Sequence, residues 1–168
     1  MIKAIFAIDA FGGMGFNGKI PWPHCSEDFK WFKENTEGHI VVMGRKTWDS
    51  VDMPSPLPNR HNIVISKDRN FRPAKAEVWR DNWIDRLRDL DMRFSKDRHI
   101  WIIGGPGIIE QAKPWIKEFY VTRWKGAYQT DVKLDTRKFF LDLRCRTVHP
   151  SREQNQLTFE IHIPWLSI

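Results

Sequence analysis

The sequence predicts an α/β fold: a mostly parallel sheet covered by helices, with antiparallel strands at its C-terminal end. Three observations lead there. Short apolar runs alternate with helical stretches as far as Trp124. Glycine clusters follow the apolar runs at 13–18, 44 and 104–107, where open α/β sheets bind ligands. From residue 143 onward the chain carries two strand-like runs and no helical periodicity.

Residues 2–9 (IKAIFAID) read as an apolar strand and 10–21 as a glycine-rich loop. Ser26 is placed to cap a helix running to Asn35, with Glu27 and Asp28 in its acid-favouring first turn. Residues 39–43 form an apolar strand that ends at Gly44 and feeds a short helix through Trp48. Pro54, Pro56 and Pro58 make 52–60 a loop, and strands are expected near 61–65 and 76–79. Asp81 or Asn82 can cap a helix whose Trp83, Ile84, Leu87 and Leu90 fall on one stripe. The unbroken run HIWII at 99–103 suits a central strand covered on both faces. A short helix at 108–113, a strand at 119–124 and a hairpin of 143–149 with 157–163 complete the chain.

At 168 residues the chain suits a single domain, 1–168, with a sizeable core and no need of disulfides or metals. Nine Trp and eleven Phe exceed what such a core needs, so they either enrich the core, which composition favours, or stack on a flat ligand. No apolar run approaches the roughly 18 residues of a membrane span, and the N-terminus lacks a signal-peptide pattern. Cys25 and Cys145 stand far apart and read as free thiols of a reducing compartment. A soluble, cytoplasmic protein that binds no membrane is expected. The +6 charge suits solvation, nucleic acid or small polyanions. Arg86, Arg88, Arg93, Lys96 and Arg98 are interspersed with Asp85, Asp89, Asp91 and Asp97, the mark of a solvated face, so no nucleic-acid partner is expected.

Three constellations carry possible chemistry. Gly13, Gly15 and Gly18 make a mobile loop, with Met14 and Ile20 as apolar cover and Trp22 as a wall, six residues before Asp28. Asp28 and Phe32 share a helix face, and a carboxylate beside rings suits a flat heterocycle bearing an amidine-like edge. Position alone favours a solvated helix-start acid instead. Second, Gly44, Arg45, Lys46 and Thr47 at a strand end, with Ser66 and Lys67 after the next strand, suit a phosphate-rich ligand such as a ribose 2′-phosphate, or simply a solvated helix start. Third, Gly104, Gly105 and Gly107 after the apolar strand permit close approach of a pyrophosphate, or form a tight turn; the pattern is not GxGxxG. GxSxG, Walker A, HExxH and EF-hand patterns are absent and no two His stand at i, i+4 on a helix, so metal catalysis is not indicated.

Taken in order, GxxGxIPW at 15–22, DFKWF at 28–32, MGRKTW at 43–48, PLPNRxNIVIS at 56–66, IIGG at 102–105, and the late YVT at 120–122 with Thr130-Asp131 resemble the dihydrofolate reductase family. The likeness runs from Ile2 to Ile163. It implies one mixed, mostly parallel eight-stranded sheet with four helices. The implied activity is NADPH-dependent reduction of dihydrofolate to tetrahydrofolate, part of one-carbon metabolism, by a monomer that also binds antifolates and needs no protein partner.

The resemblance also implies roles. Asp28 would hold the pterin, in preference to Glu27, with Thr122 supporting it and an ordered water between Asp28 and Trp22. Ile5, Ala7, Ile20 and Ile103 would line the pterin and nicotinamide floor. Phe29, Phe32, Val51 and Leu57 would hold the aminobenzoyl ring, and Arg60 the glutamate carboxylate. Arg45, Lys46, Thr47, Ser66 and Lys67 would hold the adenosine 2′-phosphate and pyrophosphate. Gly44, Gly104, Gly105, Gly107, Ile108 and Gln111 would back the cofactor, with Ala7, Met14 and Gly15 beside it. A cis Gly104–Gly105 peptide is also implied. The chain departs from the family pattern at Ile109 (a Tyr in many members), Gly107 (often Arg), Asn59 (often Gly) and the bulky Phe29. Cys25, close to Asp28, suggests a thiol at the cleft mouth. The rival readings are a same-fold reductase of a pyrimidine or riboflavin precursor, which need not place Asp28 beside Phe32, and a basic nucleic-acid-binding module.

Overall fold

In the computed structural model, which describes residues 1–94, 97–153 and 155–165, alternating strands and helices form the expected sheet. The strands are β1 (Ile2–Ile8), β2 (Gly13–Gly15), β3 (Ile40–Gly44), β4 (His61–Ile65), β5 (Glu77–Trp79), β6 (Ile100–Gly104), β7 (Glu118–Trp124), β8 (Val132–Lys133), β9 (Leu143–Pro150) and β10 (Leu157–Pro164). The helices are α1 (Ser26–Thr36), α2 (Arg45–Trp48), α3 (Trp83–Arg93), α4 (Pro106–Ala112) and α5 (Thr136–Phe139). Lys96, counted above in a mixed-charge helical face, lies outside the described residues.

Eight strands form one sheet in the order β5-β4-β3-β6-β1-β7-β10-β9. The first six are mutually parallel, and β10 runs against both β7 and β9. The closing hairpin is as expected, but only β10 opposes the rest: reversing twice turns β9 back along the common direction.

Side-chain alternation divides the sheet into two faces. Ala4, Phe6, Ile8, Ile40, Val42, Ile63, Ile100, Ile102, Phe119 and Val121 form a core with Trp83 and Leu87 of α3 and Ile109 of α4. Their sequence neighbours Ile5, Val41, Met43, Val64, Trp101 and Ile103 face the other way, where Trp31 and Phe32 of α1 pack. A third cluster of Trp22, Cys25, Trp124, Leu157 and Phe159 closes the far end of that second face. Trp22, Trp79, Trp83, Trp101 and Trp124 are all buried, so the aromatic excess chiefly builds core.

Local details depart from expectation. Ser26 is the first helical residue rather than the cap; Cys25 holds that position without a side-chain bond, and Ser26 Oγ donates to Glu153 Oε2 at 2.7 Å. Asn82 occupies the cap of α3, also without a side-chain bond. The helix expected at 108–113 starts at Pro106, whose fixed φ suits a first helical position. Residues 10–21 are not wholly loop, because β2 pairs with β8 in a small separate sheet. The one-turn α5 is a fifth α-helix among the described residues, capped by Asp135, whose carboxylate accepts from the Lys138 amide. Asn59 takes φ 58°, a left-handed conformation open to Asn as well as Gly, which accounts for that departure from the family pattern.

Candidate active site

The second face of the sheet carries the central carboxylate. α1 crosses it, and Asp28 reaches β7, where Thr122 Oγ1 donates to Asp28 Oδ1 at 2.7 Å. Thr122 is buried and sits beside Ala7 of β1 in register. Asp28 is half-buried, and the desolvation of its carboxyl pushes it up to about 6 although the Thr122 hydroxyl pulls the other way. Among the described residues this carboxylate has one supporting donor and no neutralising cation, which suits two hydrogen bonds from a cationic or amidine-like ligand. The helix-start acid reading therefore fails for Asp28 and holds for Glu27. Glu27 accepts from the Ser151 hydroxyl and the Arg152 and Glu153 amides; burial raises its carboxyl, but these donors hold it below the ordinary range.

Around Asp28 the structure gathers many of the named residues. Ile5, Leu57 and Ile103 share one buried cluster against which Phe32 packs. Ala7 and Ile20 pack against the cluster of Trp22, which stacks on Trp124 at 5.6 Å. The Arg60 guanidinium lies 5.9 Å from the Phe32 ring, and its hydrogen bonds go to neutral oxygens, Thr36 Oγ1 at 2.9 Å and the Pro58 carbonyl at 2.5 Å. Burial lowers its basicity, against the nearby Glu37 charge, which raises it. Phe29 is exposed against His24 at 4.7 Å, and Val51 is 71% exposed, its amide bonded to the Gly18 carbonyl. Cys25 is 3% exposed, so the thiol at the cleft mouth is corrected to a core thiol.

The basic, glycine-rich half forms at the ends of adjacent strands, since Gly44 of β3 pairs with Ile65 of β4. This brings Arg45, Lys46 and Thr47 beside Ser66 and Lys67. Arg45 is already engaged: Nε donates to Asp49 at 2.7 Å, its other nitrogen lies 3.5 Å from Asp68, and the guanidinium stacks 3.9 Å from the Phe71 ring. The Gly104–Gly105 peptide is cis, as the resemblance implies. Gly104 has φ 128°, and a Cβ there would lie 3.3 Å from Thr47 Oγ1; one on Gly44 would lie 3.0 Å from Ile108. These glycines let the backbone stand where side chains would fill the space, as a diphosphate requires. Around Gly107 nothing lies within 4 Å of such a Cβ, so the absent Arg leaves open space. Gln111 donates to the Gly107 carbonyl at 3.0 Å. Met14 and Ile108 pack toward the α3–α4 layer, apart from the Ile5–Ile103 floor, and Ile109 is wholly buried there.

Three carboxylates secure the glycine-rich loop: Asp9 and Asp52, given no site role in the sequence reading, and Asp131, read there only as part of a motif. Asp9, 1% exposed, accepts from the amides of Phe11, Gly13 and Tyr128. Asp52 accepts from Ile20 N at 2.6 Å, and Asp131 from Asn17 N at 3.0 Å. An Asp at a strand end before Gly-Gly is a turn signal and could have been read for Asp9. The partners of Asp52 and Asp131 lie too far along the chain for any local signal.

A carboxylate desolvated beside apolar rings, with cations and bare glycine backbone at neighbouring strand ends, suits a nucleotide-dependent enzyme acting on a flat heterocycle. A family profile described as Dihydrofolate reductase matches residues 1–163. The chain belongs to the dihydrofolate reductase family. It is 32% identical over 170 residues to the dihydrofolate reductase of Sus scrofa, covering 92% of this chain and 91% of that one. Identity to the Staphylococcus aureus dihydrofolate reductase is 32% over 130 residues, 77% and 75% of the two chains. In fold it is similar to the solved dihydrofolate reductase from Enterococcus faecalis complexed with NADP(H) and RAB-propyl, with a TM-score of 0.80 at 24% identity over 98% of this chain and 96% of that one. Among the described residues no helix is long and apolar enough to cross a membrane.

Proposed function

We propose that this chain reduces 7,8-dihydrofolate to 5,6,7,8-tetrahydrofolate with NADPH, as a cytoplasmic monomer whose whole length acts as one domain. The observation that carries the reading is the desolvated Asp28 carboxylate held by Thr122 at 2.7 Å. It accepts two parallel hydrogen bonds from N3 and the 2-amino group of the pterin, which orients the ring and favours its electron-poor, protonated state. Ile5, Ala7, Ile20 and Ile103 form the floor, Trp22 the wall, and Phe29, Phe32, Val51 and Leu57 flank the aminobenzoyl ring. Arg60, whose hydrogen bonds among the described residues go to neutral oxygens although Glu37 lies near enough to act on its charge, pairs with the glutamate carboxylate of folates and antifolates.

Arg45, Lys46, Thr47, Ser66 and Lys67 would hold the 2′-phosphate and pyrophosphate of the cofactor. Gly44, Gly104, Gly105, Gly107, Ile108 and Gln111 would back it, with Ala7, Met14 and Gly15 near the nicotinamide end. When bound, NADPH supplies the hydride that C6 of dihydrofolate receives, while N5 takes a proton from water. Most of the acceleration would fall to positioning the two reactants and drying the site beneath the 13–20 loop.

The test is the loss of NADPH absorbance in the presence of dihydrofolate, repeated with NADH. Turnover with dihydrofolate and a preference for NADPH are expected. No turnover with dihydrofolate, or turnover only with a pyrimidine or riboflavin precursor, refutes the reading.

A further inference from the structure

Cys145 plays no part in the proposed reaction, yet the sheet edge that carries it assembles a second cluster of reactive side chains. β9 and β10 pair with one irregularity, a register shift at Ile161 and His162. Thr147 opposes Ile161 and Cys145 opposes His162, so Arg146 is the extra residue of a bulge. In regular pairing Arg146 would oppose His162; the bulge puts the thiol there instead. Glu160, two residues before His162, shares its face. The result is a thiol, a carboxylate and an imidazole whose ligand atoms all lie within 4.8 Å of one another. Among the described residues no other such group of three meets that condition. The cluster faces away from Asp28, because its register partners Phe119 and Val121 belong to the core beneath α3 and α4.

The surroundings suit a cation. His162 is 7% exposed, its Nε2 lies 2.7 Å from Glu160 Oε2, and the Phe140 ring sits 4.9 Å away. Arg123 Nε donates to both Glu160 oxygens, at 3.0 and 3.1 Å, the kind of outer contact that orients a ligating carboxylate. Arg146 turns to the other face and pairs with Glu118 at 2.9 Å. Thiolate plus carboxylate, less the charge of Arg123, leaves one net negative charge for a cation. Cys145 is exposed, which gives a route of entry and room for a water.

We propose that Cys145, Glu160 and His162 bind one zinc ion, with water as the fourth ligand, and so fasten the β9–β10 hairpin. Mixed S, N and O donors at tetrahedral spacing are the zinc pattern, with ligand atoms roughly 3.3–3.8 Å apart. The exposed Cys145 thiol, which donates to the Thr147 carbonyl at 3.3 Å, closes inward on binding, while His162 Nε2 and Glu160 Oε2 part from 2.7 Å to admit the ion. Binding displaces the thiol proton to solvent and places the metal between His162 Nε2 and the Glu160 carboxylate.

The test adds zinc alone to the chelator-stripped full chain, followed by calorimetry and thermal melting. One zinc per chain and a raised melting temperature are expected. Cobalt in place of zinc should give an intense thiolate-to-metal band in the near ultraviolet. Cys145→Ser, at an exposed position, should abolish that band and weaken zinc binding by at least roughly 100-fold, above the loss of a mere supporting partner. NADPH turnover should be the same before and after stripping and in Cys145→Ser. Zinc binding that survives Cys145→Ser, or cobalt binding without the thiolate band, overturns the proposal and assigns the metal to surface histidines such as His149 and His61.

Discussion

Asp28→Asn tests burial and chemistry together, because the two effects have opposite signs. Burial moves the Asp28 carboxyl from an ordinary 3.8 to about 6. At about 1.4 kcal/mol per pH unit, the charged form is disfavoured in the fold by about 3 kcal/mol. Below pH 3.8 the group is protonated in both folded and unfolded chains and costs nothing. As pH rises through 3.8 to about 6 the folded chain retains the proton longer, so this contribution to stability is lost and the full cost stands above about 6. Asn is neutral at every pH and can still accept from Thr122. Urea unfolding of both proteins without ligand should therefore give equal stability at about pH 3 and an advantage of about 3 kcal/mol for Asp28→Asn near neutrality. Turnover of that variant should fall about 100-fold or more at neutral pH. A stability difference that does not change with pH, or near-normal turnover, refutes the reasoning.

Thr122→Val removes the one donor that lowers the Asp28 carboxyl, so the midpoint of the pH profile of kcat/KM should move upward; an unmoved midpoint dismisses Thr122 as a positioning residue. Arg45→Gln should raise the KM for NADPH about tenfold or more, the worth of a charge-assisted hydrogen bond, and leave that for NADH unchanged. Equal effects on both cofactors would remove Arg45 from the 2′-phosphate site. Glu27→Gln should cost about 1 kcal/mol near neutrality after solvent screening. Because the Glu27 carboxyl is held low, wild-type stability should fall as pH drops below 4.5, whereas the variant lacks that loss; denaturant titrations across this range read it directly.

Much of the fold is legible in the sequence, because alternation and punctuation act over a few residues. The run HIWII and its following glycines identify β6, and the Trp83, Ile84, Leu87, Leu90 stripe identifies α3. The elements read less well are those without a local pattern of their own. β2 and β8 are strands only because each pairs with the other, and α5 is a single turn held by Asp135 and the burial of Phe139. Ser26 has the right chemistry for a cap, yet Glu153, distant in sequence, takes its hydroxyl.

The candidate site divides along the same line. The sequence by itself determined the residue types: an acid and a ring one helical turn apart, basic residues at one strand end and glycines at another. Tertiary structure decided what those residues can do. It set Thr122 against Asp28 across 94 positions and desolvated the carboxyl, which separates it from its solvated neighbour Glu27. Folding also engaged Arg45 with Asp49, Asp68 and Phe71, and a single bulge turned Cys145 toward His162. The physical reason is range. Periodicity and turn chemistry are properties of adjacent residues, whereas desolvation, charge pairing and strand register depend on neighbours that only the folded chain supplies.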